Sequence, residues 1–396
     1  MGNLSPDIGL EGPEELEELA FRKINEGKVK DGLKLVLRAA RGYEREGKIR
    51  DAARLYKYLG YLLLEKTNDV DKARPPLLKA AYLYIDLIEE HVSRPEVDID
   101  VLDEYCSNVL EVFVTLNDKG NLMKYTKEFA GIYEDLGDSY RENEDIPMAI
   151  RAYESAYRYY RAINDIESYR RLAETLISLY GRVAETKLEN NDLLGAAEAF
   201  YRLASFIHTI FGYDVHFIEM MDTAAKNFEK ASKIFYSQGD LDGTTSALVK
   251  AQYAYLLSKN FGRAKLIGLN TTRMLYQVVS SYRARGDDEK TAEKLMELAE
   301  ALIGIGKLED AMKAYKSVLD IKSGLRFRVR VRGAVLKYYA ATKESEKVLE
   351  DVEAIEYYLS RKAYPRGLEL AENTMLRAGL EEALEKIHEA EGIYQP

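Results

Sequence analysis

The chain is poor in the residues that covalent and metal chemistry draw on. Its 396 residues include one cysteine, Cys106, and four histidines, His91, His208, His216 and His388. A single cysteine excludes an internal disulfide and, with no secretory segment in view, points to a reducing cytoplasm. No histidine is near Cys106 in the sequence, so the thiol reads as a small buried side chain. Asp214, His216 and Glu219 match no recognised metal-ligand spacing and read as polar residues at a helix start. No metal and no cofactor is expected. Tryptophan is absent and there are eight prolines, which suits a mostly helical chain. The first ten residues have neither the basic region nor the apolar core of a signal peptide. Pro6 stands where a myristoylation start needs Ser or Thr. No apolar run approaches the roughly 18 residues that span a bilayer, so no membrane contact is expected. Glutamine occurs only at Gln238, Gln252, Gln277 and Gln395, while charged residues make up 31%. That balance suggests a thermophilic, archaeal-looking source.

What the chain has in quantity is helix-forming material. Hydrophobic residues make up 46%, and tyrosines number 30. Turn-like punctuation recurs about every twenty residues, as at Glu26-Gly27-Lys28, Glu46-Gly47-Lys48, Asn190-Asn191-Asp192 and Arg285-Gly286-Asp287. Between turns, apolar residues fall at i, i+3, i+4 and i+7, the spacing of one helix face. The expected fold is all-α: a right-handed α-solenoid of antiparallel helix pairs, about eighteen helices in all.

One stretch is diagnostic. Tyr133, Leu136, Gly137 and Tyr140 share one helix face, and Ala149, Tyr153 and Ala156 share a face of the next helix. Small residues let helices approach, and large ones fill the hole one turn on. Pro147 sits near the first position of the second helix, where its missing N–H costs nothing. These residues at these spacings resemble the tetratricopeptide repeat. Long, tyrosine-rich helices of irregular length are similar in style to the branch of soluble-NSF-attachment-protein-like (SNAP-like) solenoids. The resemblance implies a protein-binding scaffold and no catalysis. In chaperone-binding relatives a Lys and an Asn clamp a partner's terminal carboxylate; Glu134 and Asp138 occupy the corresponding positions here and would repel one. Gly304-Ile305-Gly306-Lys307-Leu308 lacks the first Gly and the Ser/Thr of a phosphate loop, and reads as an inter-helix turn.

The expected organisation is an irregular lead over 1–13, a helical block with basic stripes over 14–94, a central solenoid over 95–364, and capping or dimerisation helices over 365–396. Pro75-Pro76 is expected to begin a helix. Residues 94–100 are expected to interrupt the array. Tyr364-Pro365 is expected to restart it.

Charge is segregated beneath a net −10. Residues 86–118 carry ten acids and one base, and 22–57 carry twelve bases and five acids. Residues 259–285 hold six bases and no acid. Lys34, Arg38, Arg41 and Arg45 fall on one helix face; Arg50, Arg54 and Lys57 repeat the device on the next helix, with Lys48 between. Arg326, Arg328, Arg330 and Arg332 alternate with Leu325, Phe327, Val329 and Val331. As a strand the run would have one basic and one apolar face; as a helix it would spread its charge around. Either way these twelve bases are the candidates for contact with an RNA or protein partner.

These features set the functional expectation: a non-enzymatic cytoplasmic scaffold, a homodimer, with no small-molecule substrate. Its basic stripes would dock on a large ribonucleoprotein such as a small or large ribosomal subunit, through rRNA phosphates, while its other surfaces take ribosomal proteins. A dimeric solenoid of this kind resembles an archaeal ribosome-dimerisation factor that bridges subunits or blocks their joining. The acidic 86–118 region would meet a basic stripe of a second copy. The alternative is an adaptor of tetratricopeptide or SNAP-like type that binds protein partners alone.

Overall fold

The structure is a computed structural model, and residues 12–322, 324–343, 345–360 and 362–393 are described. Most of the expected N-terminal lead, 1–11, therefore lies outside the described residues. Eighteen α-helices and no strands occur among the described residues. The chain divides into two compact units, Met1–Tyr169 and Arg170–Pro396.

The first unit holds α1 (Pro13–Asn25), α2 (Val29–Arg45), α3 (Ile49–Thr67), α4 (Val70–Val92), α5 (Ile99–Thr115), α6 (Lys119–Glu142) and α7 (Ile146–Ala162). The division falls near the start of α8 (Ile166–Glu189). The second unit continues with α9 (Leu193–Phe211), α10 (Val215–Ser237), α11 (Leu241–Leu257), α12 (Phe261–Arg285) and α13 (Asp288–Ile303). It ends with α14 (Leu308–Ile321), α15 (Leu325–Lys343), α16 (Glu346–Ser360), α17 (Tyr364–Arg377) and α18 (Glu381–Glu391). Within each unit, most consecutive helices pack against each other as hairpins.

The hairpins follow from turn chemistry. A residue with positive φ closes one helix, and the next residue or two open another. The closing residue is Gly27, Gly47, Gly239, Gly286 or Gly306 in some turns and Asn68, Asn117, Asn164 or Asn191 in others. Asn tolerates this region better than other side chains. In several of these turns an aspartate then caps the new helix; after Gly27, Gly47 and Gly306 a lysine stands there and no side chain caps. Asp118, Asp145, Asp192, Asp240 and Asp287 each accept from the backbone N–H three residues on. Each such cap contributes about 1 kcal/mol.

The diagnostic stretch forms α6 and α7. Gly137 faces Tyr153 so closely that a Cβ on Gly137 would lie 2.6 Å from two ring carbons. The Tyr153 hydroxyl donates to Asp138 at 2.5 Å, and that of Tyr133 donates to Asp103. Asp138 also pairs with Arg141 at 2.9 Å, so its carboxylate serves the fold.

One expectation is revised and one open question is decided. Pro75 and Pro76 do not begin a helix; they lie inside α4, which starts five residues earlier. Asp69 caps that start, accepting from Asp71 and Lys72. Ala73 and Leu77 bury against Gly60 of α3, which offsets the two backbone bonds that proline removes. The 325–332 run is helical throughout, the first half of α15. That helix packs against α11, α13, α16 and α17, so residues on several of its sides are buried.

α18 folds back on α14 and α15. Leu384 and Ile387 of α18, with Met375 of α17, join the core of the second unit.

Candidate functional site

In the first unit the sequence-predicted bases divide into two groups. Lys34, Arg38, Arg41 and Arg45 form an exposed row along α2. At about 1.5 Å per residue, the row is roughly 16 Å long. Among the described residues none of the four is ion-paired with an acid; Glu44, on the same helix, turns to Lys79 instead at 2.5 Å.

The second group is engaged within the unit. Lys48 pairs with Glu14 and Glu46, at 2.5 and 3.0 Å. The Arg50 guanidinium spans both Glu104 oxygens at 2.8 and 3.0 Å. Arg54 does the same to Glu17 at 2.8 and 2.9 Å. Lys57 reaches Glu111 and Asn108, both at 2.7 Å. Arg50, Arg54 and Lys57 line an open cavity of about 640 Å³ with Tyr58, Tyr61 and Tyr84. Burial and the nearby Glu104 carboxylate push the Tyr84 hydroxyl up to about 12. Glu104 and Glu111 belong to the acidic 86–118 block, so those two acids meet the basic stripe of their own chain.

In the second unit the Arg-rich run separates residue by residue. Arg326 is exposed and pairs with Glu293 at 2.9 Å. Arg328 is half-buried. Arg330 grips both oxygens of Glu300 at 2.9 and 3.0 Å and Glu293 at 2.8 Å. Burial opposes its charge, but Glu300 and Glu293 outweigh that and hold its pKa above the ordinary value. Arg332 is a correction. It is fully buried, bonded through Nη1 and Nη2 to Glu391 at 2.7 and 3.0 Å and through Nη2 to Glu372 at 2.7 Å. It ties α15 to α17 and α18 and is out of a partner's reach.

Arg326 and Arg330 open onto a cleft of about 630 Å³ built by α9, α10, α11, α13, α15 and α16. Its wall carries five cations (Arg202, Lys250, Arg326, Arg330, Lys337) and three glutamates (Glu198, Glu300, Glu356). Its floor is aromatic and aliphatic: Tyr201, Phe228, Tyr253, Val352 and Ile355. Lys250 bonds Glu198 at 2.6 Å and lies over the Phe228 ring. Lys337 pairs with Glu356 and lies 5.4 Å from the centre of the Tyr253 ring. Burial works against the Lys337 charge, but Glu356 outweighs it and raises the ammonium's pKa. The Tyr253 hydroxyl donates to the Glu300 carbonyl at 2.9 Å.

Sequence reasoning found Arg326 and Arg330 and missed the rest of this wall. Its members are scattered from residue 198 to residue 360 and share no local pattern. In the sequence Tyr201 stands between Ala197 and Ala204 at a small–large–small spacing that signals helix packing and nothing about a cleft. Other sequence candidates are spent on structure. Asp214 caps α10 and holds His216 at 2.9 Å. Gly304 to Leu308 is the α13–α14 turn, with Gly306 at positive φ. Cys106 is buried, which pushes its thiol well above the usual range.

No protein-family profile and no curated protein sequence matches the chain. Solved structures of helical-repeat proteins are similar over most of its length. One is a circular tandem repeat protein with a novel repeat topology: 15% identity, 93% of this chain and 97% of that one, TM-score 0.30. Another is a Rap protein complexed with competence and sporulation factor: 13% identity, 90% and 99% covered, TM-score 0.21. A third is the TPR domain of P58(IPK): 13% identity, 92% and 99% covered, TM-score 0.18. Likeness of this degree carries no functional argument.

Proposed function

We propose that this chain is a non-catalytic helical-repeat adaptor that seats a segment of a partner protein in the cleft of its second unit. The observation that carries this reading is the cleft wall. Cations and glutamates stand side by side there over an aromatic floor. Half-buried charges of both signs select a segment of mixed charge, because a wrongly placed like charge loses its water and gains no partner. The volume lies within the usual range of ligand pockets, about 300–1,000 Å³. Aromatic floors of this kind supply contact area at little entropic cost.

The test is a displayed peptide library panned on the full chain. Selected peptides are expected to bind Lys250→Glu/Arg326→Glu at least about tenfold more weakly, since both bases stand at the cleft's exposed edge. Equal binding to the variant sinks the cleft as the seat.

A second reading rests on the α2 row. Four bases without acidic partners suit a ladder of phosphates, and docking on a ribosomal subunit remains the most specific form of that idea. If two copies associate, one dimer could bridge two particles. Such docking weakens steeply with salt, the log–log slope falling by about one for each basic contact removed. Arg38→Glu/Arg41→Glu is expected to abolish co-sedimentation with ribosomal particles. A wild-type chain that never co-sediments with them at low salt rules this reading out. Sedimentation velocity of the chain alone decides whether it dimerises.

A further inference from the structure

The longest helix presents a face that neither reading uses. α12 (Phe261–Arg285) takes no part in the cleft. Its inner side, with Ile267, Leu275, Val278 and Val279, is buried. Its outer side exposes Leu266, Leu269 and Tyr276, each 45–51% accessible. With the exposed Arg273, Ser280 and Arg283 these residues are spaced 3, 4, 3, 4 and 3 apart. That is the a/d seam of a heptad repeat, the pattern along which a second helix lies lengthwise. The seam is roughly 25 Å long at the usual rise.

The charge on this face is of one sign. α12 contains five bases and no acid. Arg263 is taken up by Glu229, and Arg285 lies against the Tyr282 ring. Among the described residues, Lys265, Arg273 and Arg283 have no acidic partner.

We infer that the outer face of α12 is a docking seam for an acidic amphipathic helix of a partner protein. That helix would set apolar residues between Leu266, Leu269 and Tyr276 and carboxylates against Lys265, Arg273 and Arg283. Other occupants fit less well. Two α12 faces packed on each other would oppose Lys265, Arg273 and Arg283 of one copy to those of the other, six bases without an acidic partner, and like charges at a seam repel. A polyanion would satisfy the bases and leave the apolar row wet. A lipid surface would draw Arg273, at the middle of the row, toward hydrocarbon, where its charge is costly.

The test uses a fluorescein-labelled synthetic peptide of about four heptads, with Leu at a and d and Glu at e and g. It is titrated with the full chain at low salt and followed by anisotropy. Saturable binding is expected, weakened at least about tenfold by Arg273→Glu and by Leu269→Ser, with no binding of the same peptide carrying Lys for Glu. Leu269 and Arg273 are exposed, so both variants should keep the wild-type circular dichroism; Tyr276→Ser serves if either does not. The inference is overturned if the Lys peptide binds equally well, or if neither variant changes binding of the Glu peptide. It is also overturned by a self-dimer that Leu269→Ser abolishes, which would give the face to a second copy. Binding to phosphatidylserine-containing vesicles that the same variant abolishes would give it to lipid.

Discussion

Replacing Arg332 with methionine tests how the second unit is closed. The Arg332 and Glu391 side chains are 1% and 0% exposed. Removing one partner of such a pair costs about 3–5 kcal/mol, because the remaining charge has no water to return to. Glu391 would keep the Tyr315 hydroxyl at 2.8 Å. It is also the last residue of α18, where the helix dipole opposes a negative charge. The strain therefore falls on α18. Hydrogen exchange read by mass spectrometry should show α18 losing roughly a hundredfold to a few-thousandfold of its protection, or all of it if its local stability is smaller. The pH dependence should change sign. In the native protein burial would raise the pKa of Glu391, but the Arg332 bond and charge prevail and hold it below the ordinary 4.5. A depressed folded pKa contributes stability that is present above the unfolded value and lost as pH falls through the folded one. Without Arg332 burial dominates and the folded pKa rises. The variant then loses stability as pH rises above the unfolded value, so its deficit should be smaller near pH 4 than at pH 7. Arg332→Met/Glu391→Leu, which removes both charges, should recover most of the protection. Wild-type exchange of α18 in Arg332→Met at pH 7, or a double variant as loose as the single one, would refute this reasoning.

Gly137→Ala should lower the melting temperature. Its methyl would meet the Tyr153 ring at 2.6 Å, and overpacking of that kind costs about 1–3 kcal/mol, against about 1 kcal/mol gained in helix propensity. Gly131→Ala on the same helix meets nothing within 4 Å and should stabilise by up to about 1 kcal/mol; a Gly137→Ala protein that melts no lower than Gly131→Ala contradicts the packing account. Arg38→Glu/Arg41→Glu should leave the unfolding midpoint within about 0.5 kcal/mol of wild type, since those bases hold no acid. Arg54→Glu should lower it, because the new carboxylate faces Glu17 and Asp51. If the two changes are equal, the division of the basic stripe into a free and an engaged half is wrong.

The fold was legible because its signals are local. Many of the hairpins announce themselves by a residue suited to positive φ and several by an aspartate cap, and Gly137 with Tyr153 marks a close helix approach. Pro75-Pro76 misled because local rules price the lost backbone bonds and do not see Leu77 burying against Gly60. The 325–332 run was left open between strand and helix for a different reason. Alternation usually signals one wet and one dry face, but α15 has neighbours on several sides. Phe327, Val329 and Val331 are buried, and Arg330 and Arg332 enter the interior on glutamate partners. A helix enclosed in this way has no single apolar stripe for the period to follow.

Block charges were the least reliable guide to a site, for a reason that the architecture supplies. In stacked hairpins a helix touches its sequence neighbours and also helices further along the chain. Acids and bases 33 to 54 residues apart therefore meet: Arg50 with Glu104, Lys57 with Glu111, Arg326 with Glu293, Lys250 with Glu198. Some of the bases of 22–57 and some of the acids of 86–118 thus face each other across an internal contact. A base in such a chain becomes informative only after the acids one repeat away have been set against it. Applied here, that subtraction removes Lys48, Arg50, Arg54, Lys57, Lys250, Arg326, Arg330, Arg332 and Lys337 from the unpaired bases, so the cleft of the second unit offers ion pairs of both signs and not free charge. As surfaces of unpaired bases it leaves the α2 row and the outer face of α12. These two differ in kind: the first is bare charge, suited to phosphates, and the second is charge interleaved with Leu266, Leu269 and Tyr276, suited to a helix.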